Sequence, residues 1–335
     1  MNESLALSVN DRSQTGEARR AAALWGQDRG WSEELAGRVA LIVTELGNNL
    51  ALHTKGGTLL LRSLSEETAR GVEILSLDCG PGVANFNECL RDGYSTAGTA
   101  GTGLGAVKRA SQLFATHSQP GIGTVLISEV WAREPAFRAG RLWRAGAVNI
   151  AKAGDSVSGD SWGEKHLQPE VIRVMIADGL GHGEFAAQAS KRAVEVFGNS
   201  PALPLTDLME RMHDALRPTR GAAVAIAELD LRIQSVSYVG VGNIAACIVT
   251  HETSTSLVSM NGTVGGALRG IKPFAYPWPP SGSLVMMSDG IKSHLNLKRY
   301  SGLLDRHPAL ITGVLYRDYA RGTDDATVLT VRPVS

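Results

Sequence analysis

The segment from Val171 to Gly183 has the sequence VIRVMIADGLGHG, and its two halves differ in character. The first seven residues are apolar and rich in β-branched side chains, apart from Arg173, and they predict a buried strand. The second half begins at Asp178 and has three glycines in its last five positions. Glycine lets the backbone approach a ligand closely, and a charged carboxylate at the end of a buried strand is costly without a partner. The segment therefore predicts an oxygen-rich site for a hard divalent cation.

Three further groups of aspartates lie near the ends of apolar runs in the C-terminal half. Asp160 lies in the sequence SGDSWG, Asp289 follows an apolar run within SDG, and Asp324 and Asp325 open a last apolar run within DDAT. Each group taken alone fits an ordinary turn, because aspartate and glycine are frequent in turns. Strand ends of a sandwich lie along one rim, so we expect the carboxylates to converge. A cluster of like charges there requires cations.

Secondary-structure patterns in the C-terminal half predict many short strands with a few inserted helices. The helices are expected at about 184–197, 205–216 and 308–319. Runs of strands with helices between them favour an α+β sandwich over a parallel sheet. The predicted strands are 147–151, 171–177, 222–229, 233–239, 244–249, 256–259, 284–287 and 326–331.

The N-terminal half contains a strong helix signal that begins at Ser32, a capping side chain followed by two glutamates. The helix is expected to run to about Thr54. One face is apolar, and Glu45, Asn49 and His53 lie four residues apart on another face. This polar stripe is either a solvated surface or part of a site. The remaining predicted elements are strands at 58–63, 72–77 and 123–131 and a helix at 106–114.

Two glycine-containing segments accompany this helix. Asp78 ends a predicted strand within the sequence DCGPG, and the sequence GTAGTGLG at 98–105 precedes a predicted helix. A glycine-rich loop at a helix N-terminus presents backbone N–H groups to phosphate. Each segment alone is also compatible with an ordinary turn or a flexible surface loop. The order of elements differs from the strand–loop–helix unit of dinucleotide-binding folds.

In this order, ELGNN at 45–49, DCGPG at 78–82, GTGLG at 101–105 and GIGT at 121–124 resemble the motifs of the GHKL (Bergerat-type) ATPases. The resemblance is in particular to the RsbT and RsbW serine kinases of bacterial partner-switching. It implies an α/β sandwich over residues 1–131 that binds ATP with Mg²⁺. In kinase members Glu45 would be the base for phosphoryl transfer. The residues implied to contact the nucleotide or its Mg²⁺ are Asn49, Asp78, Gly80, Gly82, Gly101, Thr102, Gly103, Leu104, Gly105 and Thr124.

The acidic groups of the C-terminal half, in the order GD, DGLGHG, SDG and DDAT, resemble the signature of the metal-dependent phosphatases (PPM) in their SpoIIE, RsbU and RsbX branch. The resemblance implies an α-β-β-α sandwich over residues 145–335, joined by a linker at 132–144. It implies two Mn²⁺ or Mg²⁺ ions, with Asp178 and Asp289 acting in catalysis. His182 would be either a loop residue or an acid for the leaving group. The implied metal-site residues are Asp160, Asp178, Gly179 through its carbonyl, Asp289, Asp324 and Asp325, with the choice between the last two left open.

The composition narrows the function classes. The chain has 335 residues with 33 basic and 33 acidic side chains, and this balance does not favour nucleic-acid binding. Three cysteines without a CxxC pair are typical of a reducing compartment. The sequence has no run of about 18 apolar residues, so no membrane span is expected. We expect a cytoplasmic protein, and a homo-oligomer is compatible with the sequence.

Three functions follow from the two resemblances. The first is a phosphoserine or phosphothreonine phosphatase that acts on a phosphorylated STAS-domain antagonist or scaffold protein in stress or sigma-factor signalling. The second is a bifunctional switch in which the N-terminal domain phosphorylates the same partner. The third is an ATP-binding module that gates the phosphatase without phosphoryl transfer, which would require measurable coupling between the two sites.

Overall fold

The long helix α2 (Glu33–His53) and the sheet beneath it organise the N-terminal half. In the computed structural model the described residues are 4–65, 69–89, 103–133, 142–268 and 270–334. The Ser32 hydroxyl accepts a hydrogen bond from the Leu35 N–H at 3.3 Å, and Glu33 and Glu34 lie in the first turn. The helix predicted from Ser32 to about Thr54 is confirmed, because its cap and its apolar stripe agree.

The N-terminal sheet has five antiparallel strands in the order β1-β2-β3-β5-β4. Helices α1, α2 and α4 cover one face, where a core of buried aliphatic side chains forms, including Ile42, Leu46, Leu61 and Ile74. The strands are β1 (Ser4–Val9), β2 (Gly57–Ser65), β3 (Arg70–Asp78), β4 (Leu113–Gln119) and β5 (Gly123–Trp131), and the other helices are α1 (Arg12–Gln27), the short α3 (Phe86–Cys89) and α4 (Gly103–Ala110).

The helix predicted at 106–114 ends earlier than expected. Helix α4 stops at Ala110, and Leu113 already pairs with β5. Gln112 makes the turn, since its N–H donates to the Glu129 carbonyl at 2.9 Å and its side-chain oxygen accepts from the Trp131 N–H at 3.0 Å. Strand pairing thus overrides the local apolar pattern. The elements β1 and α1 were not predicted, although the cap residue Asp11 at the start of α1 gives a recognisable signal.

The second face of this sheet is covered by a segment from late in the chain. By its internal contacts the chain forms two units, of which the first joins the N-terminal residues up to Arg138 with Arg299–Arg317. Within this unit, Gly313 of helix α7 (Pro308–Tyr319) lies so close to the sheet that an added Cβ would be 2.8 Å from Val125 Cγ1 and 3.1 Å from Leu77 Cδ2. The domain boundaries at residues 131 and 145 stay a prediction.

The second unit contains two five-stranded sheets. One has the order β13-β10-β9-β8-β7 and is covered by helices α5 and α6, and the other has the order β12-β11-β14-β15-β6. The two sheets enclose a core that includes Trp143, Ile176, Tyr238 and Leu329. The predicted α+β sandwich is confirmed. Its elements are β6 (Trp143–Ile150), β7 (Asp160–Gln168), β8 (Val171–Gly179), α5 (Glu184–Asn199), α6 (Leu205–Leu216), β9 (Ala222–Asp230), β10 (Ser235–Val241), β11 (Ala245–Val249), β12 (Ser254–Leu257), β13 (Phe274–Pro277), β14 (Ser283–Met287) and β15 (Ala326–Pro333).

Some strand boundaries differ from the predicted ones. The strand predicted at 233–239 begins only at Ser235, because Ile233 lies in the preceding turn with 71% of its surface exposed. Strand β6 begins at Trp143, within the predicted linker, and pairs with β15 along its whole length. Strands β7 and β13 were not predicted. In the part of the chain that the structure describes, no helix is long and apolar enough to span a membrane.

Replacing Gly313 by Leu should lower the free energy of unfolding by about 1–3 kcal/mol, the usual cost of adding methylenes to a packed core. Urea-induced unfolding of the full chain measures the change. Gly37→Leu is the matched control, since Gly37 lies on an exposed part of α2 with no atom within 4 Å of a built Cβ. Equal losses in the two variants would contradict the close packing of α7 on this sheet.

Candidate functional site

Asp160 and Asp178 lie side by side at one end of two neighbouring strands. Strands β7 and β8 are antiparallel, and their register makes these two aspartates direct partners. Side chains of directly opposed residues point to the same face of a sheet. Asp160 is only 2% exposed, and Asp178 is partly buried.

The other predicted aspartates are close enough to act on Asp178 electrostatically. Burial raises the pKa of Asp178, and the negative charges of Asp160, Asp289, Asp324 and Asp325 raise it further. Burial also raises the pKa of Asp160, which the nearby hydroxyls of Ser288 and Thr327 partly oppose. The structure therefore brings all five predicted aspartates to one edge of the sandwich.

The SDG and DDAT segments are joined by a reciprocal pair of hydrogen bonds. The Ser288 N–H donates to the Thr327 carbonyl at 3.0 Å, and the Thr327 N–H donates to the Ser288 hydroxyl at 2.9 Å. These bonds fix the end of β14 against the start of β15. Asp289 lies next to the first of these residues and Asp325 lies two residues before the second, so both are held at the same edge.

Asp325 has a structural role that Asp324 does not share. The Lys152 N–H donates to Asp325 Oδ1 at 2.8 Å, and the Gly159 N–H donates to Asp325 Oδ2 at 2.9 Å. Both oxygens of this buried carboxyl thus hold the loop that leads into β7. Asp324 Oδ1 accepts only from the neighbouring Asp325 N–H, at 2.9 Å, among the hydrogen bonds of the described residues.

The glycines of the motifs permit close approach of backbone at this edge. A Cβ on Gly179 would lie 2.0 Å from the Ala186 carbonyl oxygen, and a Cβ on Gly290 would lie 1.9 Å from the Asp325 carbonyl oxygen. Neither position tolerates a side chain without a backbone shift. The Gly179 N–H donates to the Gly159 carbonyl at 3.1 Å, which ties the loops after β8 and before β7 together.

Two asparagines support the aspartates and were not identified from the sequence. Asn149 Nδ2 donates to the Asp160 carbonyl and to the Thr327 hydroxyl, both at 3.0 Å. Asn243 Nδ2 donates to Asp289 Oδ2 at 2.8 Å. Neither asparagine lies in one of the predicted motifs, so no sequence pattern marked them. The pairing of β6 with β15 places Asn149, and the short connection between β10 and β11 places Asn243.

The chemistry of this donor set fits divalent cations. Hard cations prefer carboxylate and carbonyl oxygens, and the buried Asp160 Oδ2 has no hydrogen-bond partner among the described residues. Over the same residues, no three His, Cys, Asp or Glu side chains are placed as a ready-made ligand set. The ligand assignment therefore depends on strand register and charge proximity.

His182 lies in the glycine loop that follows β8. Its Nδ1 is 3.0 Å from Asp155 Oδ2, and its side chain is largely exposed. Asp155 belongs to the loop that Asp325 anchors. His182 is therefore a loop histidine oriented by a carboxylate, and its other ring nitrogen takes no part in this contact.

Asp78 in the N-terminal unit is organised by the turn that follows it. Its Oδ1 accepts from the Gly80 N–H at 2.8 Å and from the Thr124 N–H at 3.3 Å. Burial raises the pKa of Asp78, and these two N–H donors oppose the rise. Gly82 has a φ of +65°, and a Cβ there would meet the Gln119 carbonyl oxygen at 2.0 Å. Of the predicted nucleotide contacts, this turn brings Asp78, Gly80, Gly82 and Thr124 together.

Glu45 of α2 faces the start of α4, and Asn49 lies one turn further along the same helix. A Cβ on Gly103 would lie 2.5 Å from Glu45 Oε2, so the end of the glycine-rich segment lies against this carboxyl. Asn49 Nδ2 is buried and has no hydrogen-bond partner among the described residues, which fits a group that contacts a ligand. Leu104 and Gly105 lie in the first turn of α4, whereas Gly101 and Thr102 lie outside the described residues.

The two halves of the chain match different families. Residues 168–333 match the family model of stage II sporulation protein E (SpoIIE), and residues 8–128 match that of the histidine kinase-like ATPase domain. The serine/threonine-protein kinase RsbT of Bacillus subtilis (strain 168) is 26% identical over 133 residues, which cover 40% of this chain and 100% of RsbT. The phosphoserine phosphatase RsbX of the same organism is 26% identical over 154 residues, which cover 44% of this chain and 76% of RsbX.

A solved structure agrees with the sandwich of the second unit. The crystal structure of RsbX in complex with magnesium superposes with a TM-score of 0.51 at 19% identity, covering 58% of this chain and 96% of RsbX. This likeness concerns the fold. The ATPase-like motifs lie within residues 8–128, and the DGLGHG, SDG and DDAT motifs lie within 168–333, whereas Asp160 precedes the second match. The chain thus joins a histidine kinase-like ATPase domain of the GHKL type to a SpoIIE-family domain of the PPM phosphatase type.

Proposed function

We propose that this protein is a metal-dependent phosphatase that removes phosphate from phosphoserine or phosphothreonine on a partner protein. The SpoIIE and RsbX matches support a protein phosphatase that depends on divalent metal. The occurrence of RsbT-like and RsbX-like sequences in one chain supports a role in partner-switching signalling. The substrate we propose is a phosphorylated STAS-domain antagonist or scaffold protein in the cytoplasm.

One observation carries this proposal: Asp160 and Asp178 are direct partners across β7 and β8, and the aspartates of the other two motifs lie close enough to raise the pKa of Asp178. Like charges at a buried edge are unfavourable unless cations compensate them. Sequence-distant carboxylates that share one site are expected where a binuclear centre is required. An isolated turn or a helix cap would not gather them.

The chain's own residues would hold two Mn²⁺ or Mg²⁺ ions at this edge. The oxygens that would hold them are the carboxylates of Asp178 and Asp289 and the carbonyl of Gly179. When bound, such ions lower the pKa of a shared water and orient the phosphate oxygens for in-line attack. Asn243 would fix the Asp289 carboxyl through the 2.8 Å hydrogen bond to its Oδ2. Asp160 would complete the site from the buried side.

We assign Asp324 as the metal ligand of the DDAT motif and Asp325 as the residue that anchors the loop. Both Asp325 oxygens accept backbone N–H groups, at 2.8 and 2.9 Å, which leaves it less suited to a cation. Asp324 is less buried and contributes negative charge at Asp178. These contacts and charges support this division of roles within the motif.

We propose as a second function that ATP at the N-terminal site gates the phosphatase. The segment Arg299–Arg317 lies in the sequence between Asp289 and Asp324, yet it belongs to the ATPase-like unit. In that unit Arg317 Nη1 donates to the Asp78 carbonyl at 2.8 Å. A shift of the turn at Asp78 when adenine binds would therefore act directly on α7.

In the second unit, the residues that precede this segment in the sequence are hydrogen-bonded to those that follow it. The Lys292 N–H donates to the Tyr319 carbonyl at 3.0 Å, and the Arg321 N–H donates to the Gly290 carbonyl at 2.8 Å. Gly290 follows Asp289 directly. A movement of α7 would thus be transmitted through the backbone to the residues that flank Asp289 and Asp324, which is a physical route for coupling.

Asp178→Asn should reduce Mn²⁺-dependent release of phosphate from a phosphoserine protein by at least about 100-fold. Removal of an outer-shell partner typically costs 10–100-fold, and removal of a direct metal ligand should cost at least as much. Phosphate release and Mn²⁺ binding by calorimetry are the two measurements. The control Asp207→Asn replaces an exposed aspartate of α6. Full activity in the folded Asp178→Asn protein would refute the phosphatase assignment.

Asp325→Asn should mainly lower the stability of the protein, whereas Asp324→Asn should mainly lower its affinity for Mn²⁺. An amide at residue 325 would place an NH₂ group against a backbone N–H, so the free energy of unfolding should fall by about 1–3 kcal/mol. Asp324→Asn keeps the acceptor for the Asp325 N–H and should mainly weaken Mn²⁺ binding. Urea unfolding without added metal and calorimetric Mn²⁺ titration separate the two effects. A larger stability loss for Asp324→Asn would reverse the assignment.

A non-hydrolysable ATP analogue should change the Mn²⁺ affinity of the full chain by at least about fivefold, the lower end of usual allosteric coupling. Arg317→Gln should bring this factor close to one because the link between Asp78 and α7 is lost. Titrations of Mn²⁺ with and without nucleotide, and of nucleotide with and without Mn²⁺, measure this coupling factor. The control is Arg19→Gln, which replaces an exposed arginine of α1. Unchanged coupling in Arg317→Gln would exclude this route.

Transfer of label from ATP to a partner by Asp178→Asn protein would indicate kinase activity instead.

A further inference from the structure

Two large apolar side chains are exposed on either side of the glycine loop that follows Asp178. Leu180 is 45% exposed and Phe185 is 63% exposed. Single exposed apolar residues are common on protein surfaces. These two, however, flank the same short loop beside the carboxylate cluster, so a ligand of the site would meet both.

Arg220 lies beside both of these residues. Its guanidinium carbon is 4.9 Å from the centre of the Phe185 ring, and its Nη1 would be 2.9 Å from a Cβ on Gly181. The carbonyl of the next residue, Gly221, accepts the Leu180 N–H at 3.0 Å. The three residues therefore form one surface, which we call the Arg220 rim: Leu180, Phe185 and Arg220.

The Arg220 rim adjoins the metal centre through backbone contacts. Strands β8 and β9 pair Gly179 with Ala222, which places Arg220 just beyond the strand end that carries Asp178. On the helix side, Ala186 follows Phe185 and packs against Gly179, where an added Cβ would be 2.0 Å from the Ala186 carbonyl oxygen. A molecule bound at the aspartates would thus extend over this rim.

We propose that the Arg220 rim binds the phosphorylated segment of the substrate protein: Arg220 contacts the phosphate dianion, and Phe185 with Leu180 receives an apolar side chain next to the phosphoserine or phosphothreonine. The inference rests on the phosphatase function proposed above. It adds the substrate class, a phosphorylated segment with an apolar neighbour, and the residues that select it.

Charge complementarity supports this occupant. A phosphate monoester carries nearly two negative charges at neutral pH, and it must approach an edge that already holds the aspartate cluster. An exposed guanidinium beside that edge offers a planar, bidentate partner for phosphate oxygens. Because its guanidinium is stacked on Phe185, the Arg220 side chain is oriented before the ligand arrives, which reduces the entropy lost on binding.

The apolar part of the rim predicts that the enzyme prefers protein substrates to small phosphate esters. Burying an exposed aromatic or leucine side chain against a ligand side chain is worth roughly a factor of ten in affinity. A small phosphate ester cannot reach both Phe185 and Leu180. A peptide with leucine beside its phosphoserine can reach them, and one with glycine there cannot.

The test compares the full-length protein, loaded with Mn²⁺, on two phosphoserine peptides that carry leucine or glycine beside the phosphoserine. The wild type should favour the leucine peptide in kcat/KM by about tenfold. Phe185→Ala and Leu180→Ser should each reduce this preference. Arg220→Gln should raise the KM for both peptides and the inhibition constant of inorganic phosphate by about tenfold, and Arg220→Lys should lie between it and the wild type.

Two exposed residues away from the rim provide matched controls. Ile233→Ala removes an apolar side chain that is 71% exposed, in the turn beyond the other end of β9, and Arg192→Gln removes an exposed arginine further along α5. Both controls should keep the wild-type preference and phosphate inhibition. Thermal unfolding of each variant verifies that the chain is folded.

The possible outcomes separate this inference from the function on which it rests. If the wild type hydrolyses both peptides equally, or if the rim variants behave like the controls, the proposed role of the Arg220 rim is wrong. The phosphatase function stands in that case. If the wild type hydrolyses neither peptide with Mn²⁺, the phosphatase function falls and the inference falls with it. Loss of the leucine preference in Phe185→Ala and Leu180→Ser, together with weaker phosphate inhibition in Arg220→Gln, supports the proposal that the Arg220 rim binds the substrate.

Discussion

The main constraint on the C-terminal unit is that its fold must hold several mutually repelling aspartates at one partly buried edge. Burial and neighbouring negative charges raise the pKa of Asp178. The fold therefore holds these carboxyl groups where the charge of one makes ionisation of another less favourable. Such an arrangement persists only when the surrounding structure imposes it. Strand register, the Ser288–Thr327 bonds and the two N–H groups bound by Asp325 are what impose it here.

The same constraint explains why glycine is needed in these motifs. At Gly179 and Gly290 a Cβ would lie about 2 Å or less from a carbonyl oxygen of another element. The loops and strand ends can therefore bring their carboxylates together only if the backbones touch. Asn149 and Asn243 complete the support, because each donates to an aspartate of the cluster, through its backbone carbonyl or its carboxylate.

The N-terminal unit has a comparable dependence on helix α7. Its sheet is apolar on both faces: α1, α2 and α4 cover one, and Gly313 of α7 packs against Leu77 and Val125 on the other. A segment located in sequence between two phosphatase-motif aspartates thus completes the core of the ATPase-like unit. Within this unit, Arg317 of α7 donates to the Asp78 carbonyl, which ties the helix to the turn after β3.

The sequence by itself determined the helix at Glu33–His53, the helix at Pro308–Tyr319, the sandwich class and the motif aspartates, because capping, periodicity and glycine spacing are local properties. It placed the end of α4 and the start of β10 wrongly, since pairing with the neighbouring strand sets those boundaries. Only the tertiary structure decided that Asp325 anchors a loop, that Asn149 and Asn243 support the cluster, and that Arg299–Arg317 belongs to the first unit. These features depend on contacts between residues far apart in the chain, which no local pattern records.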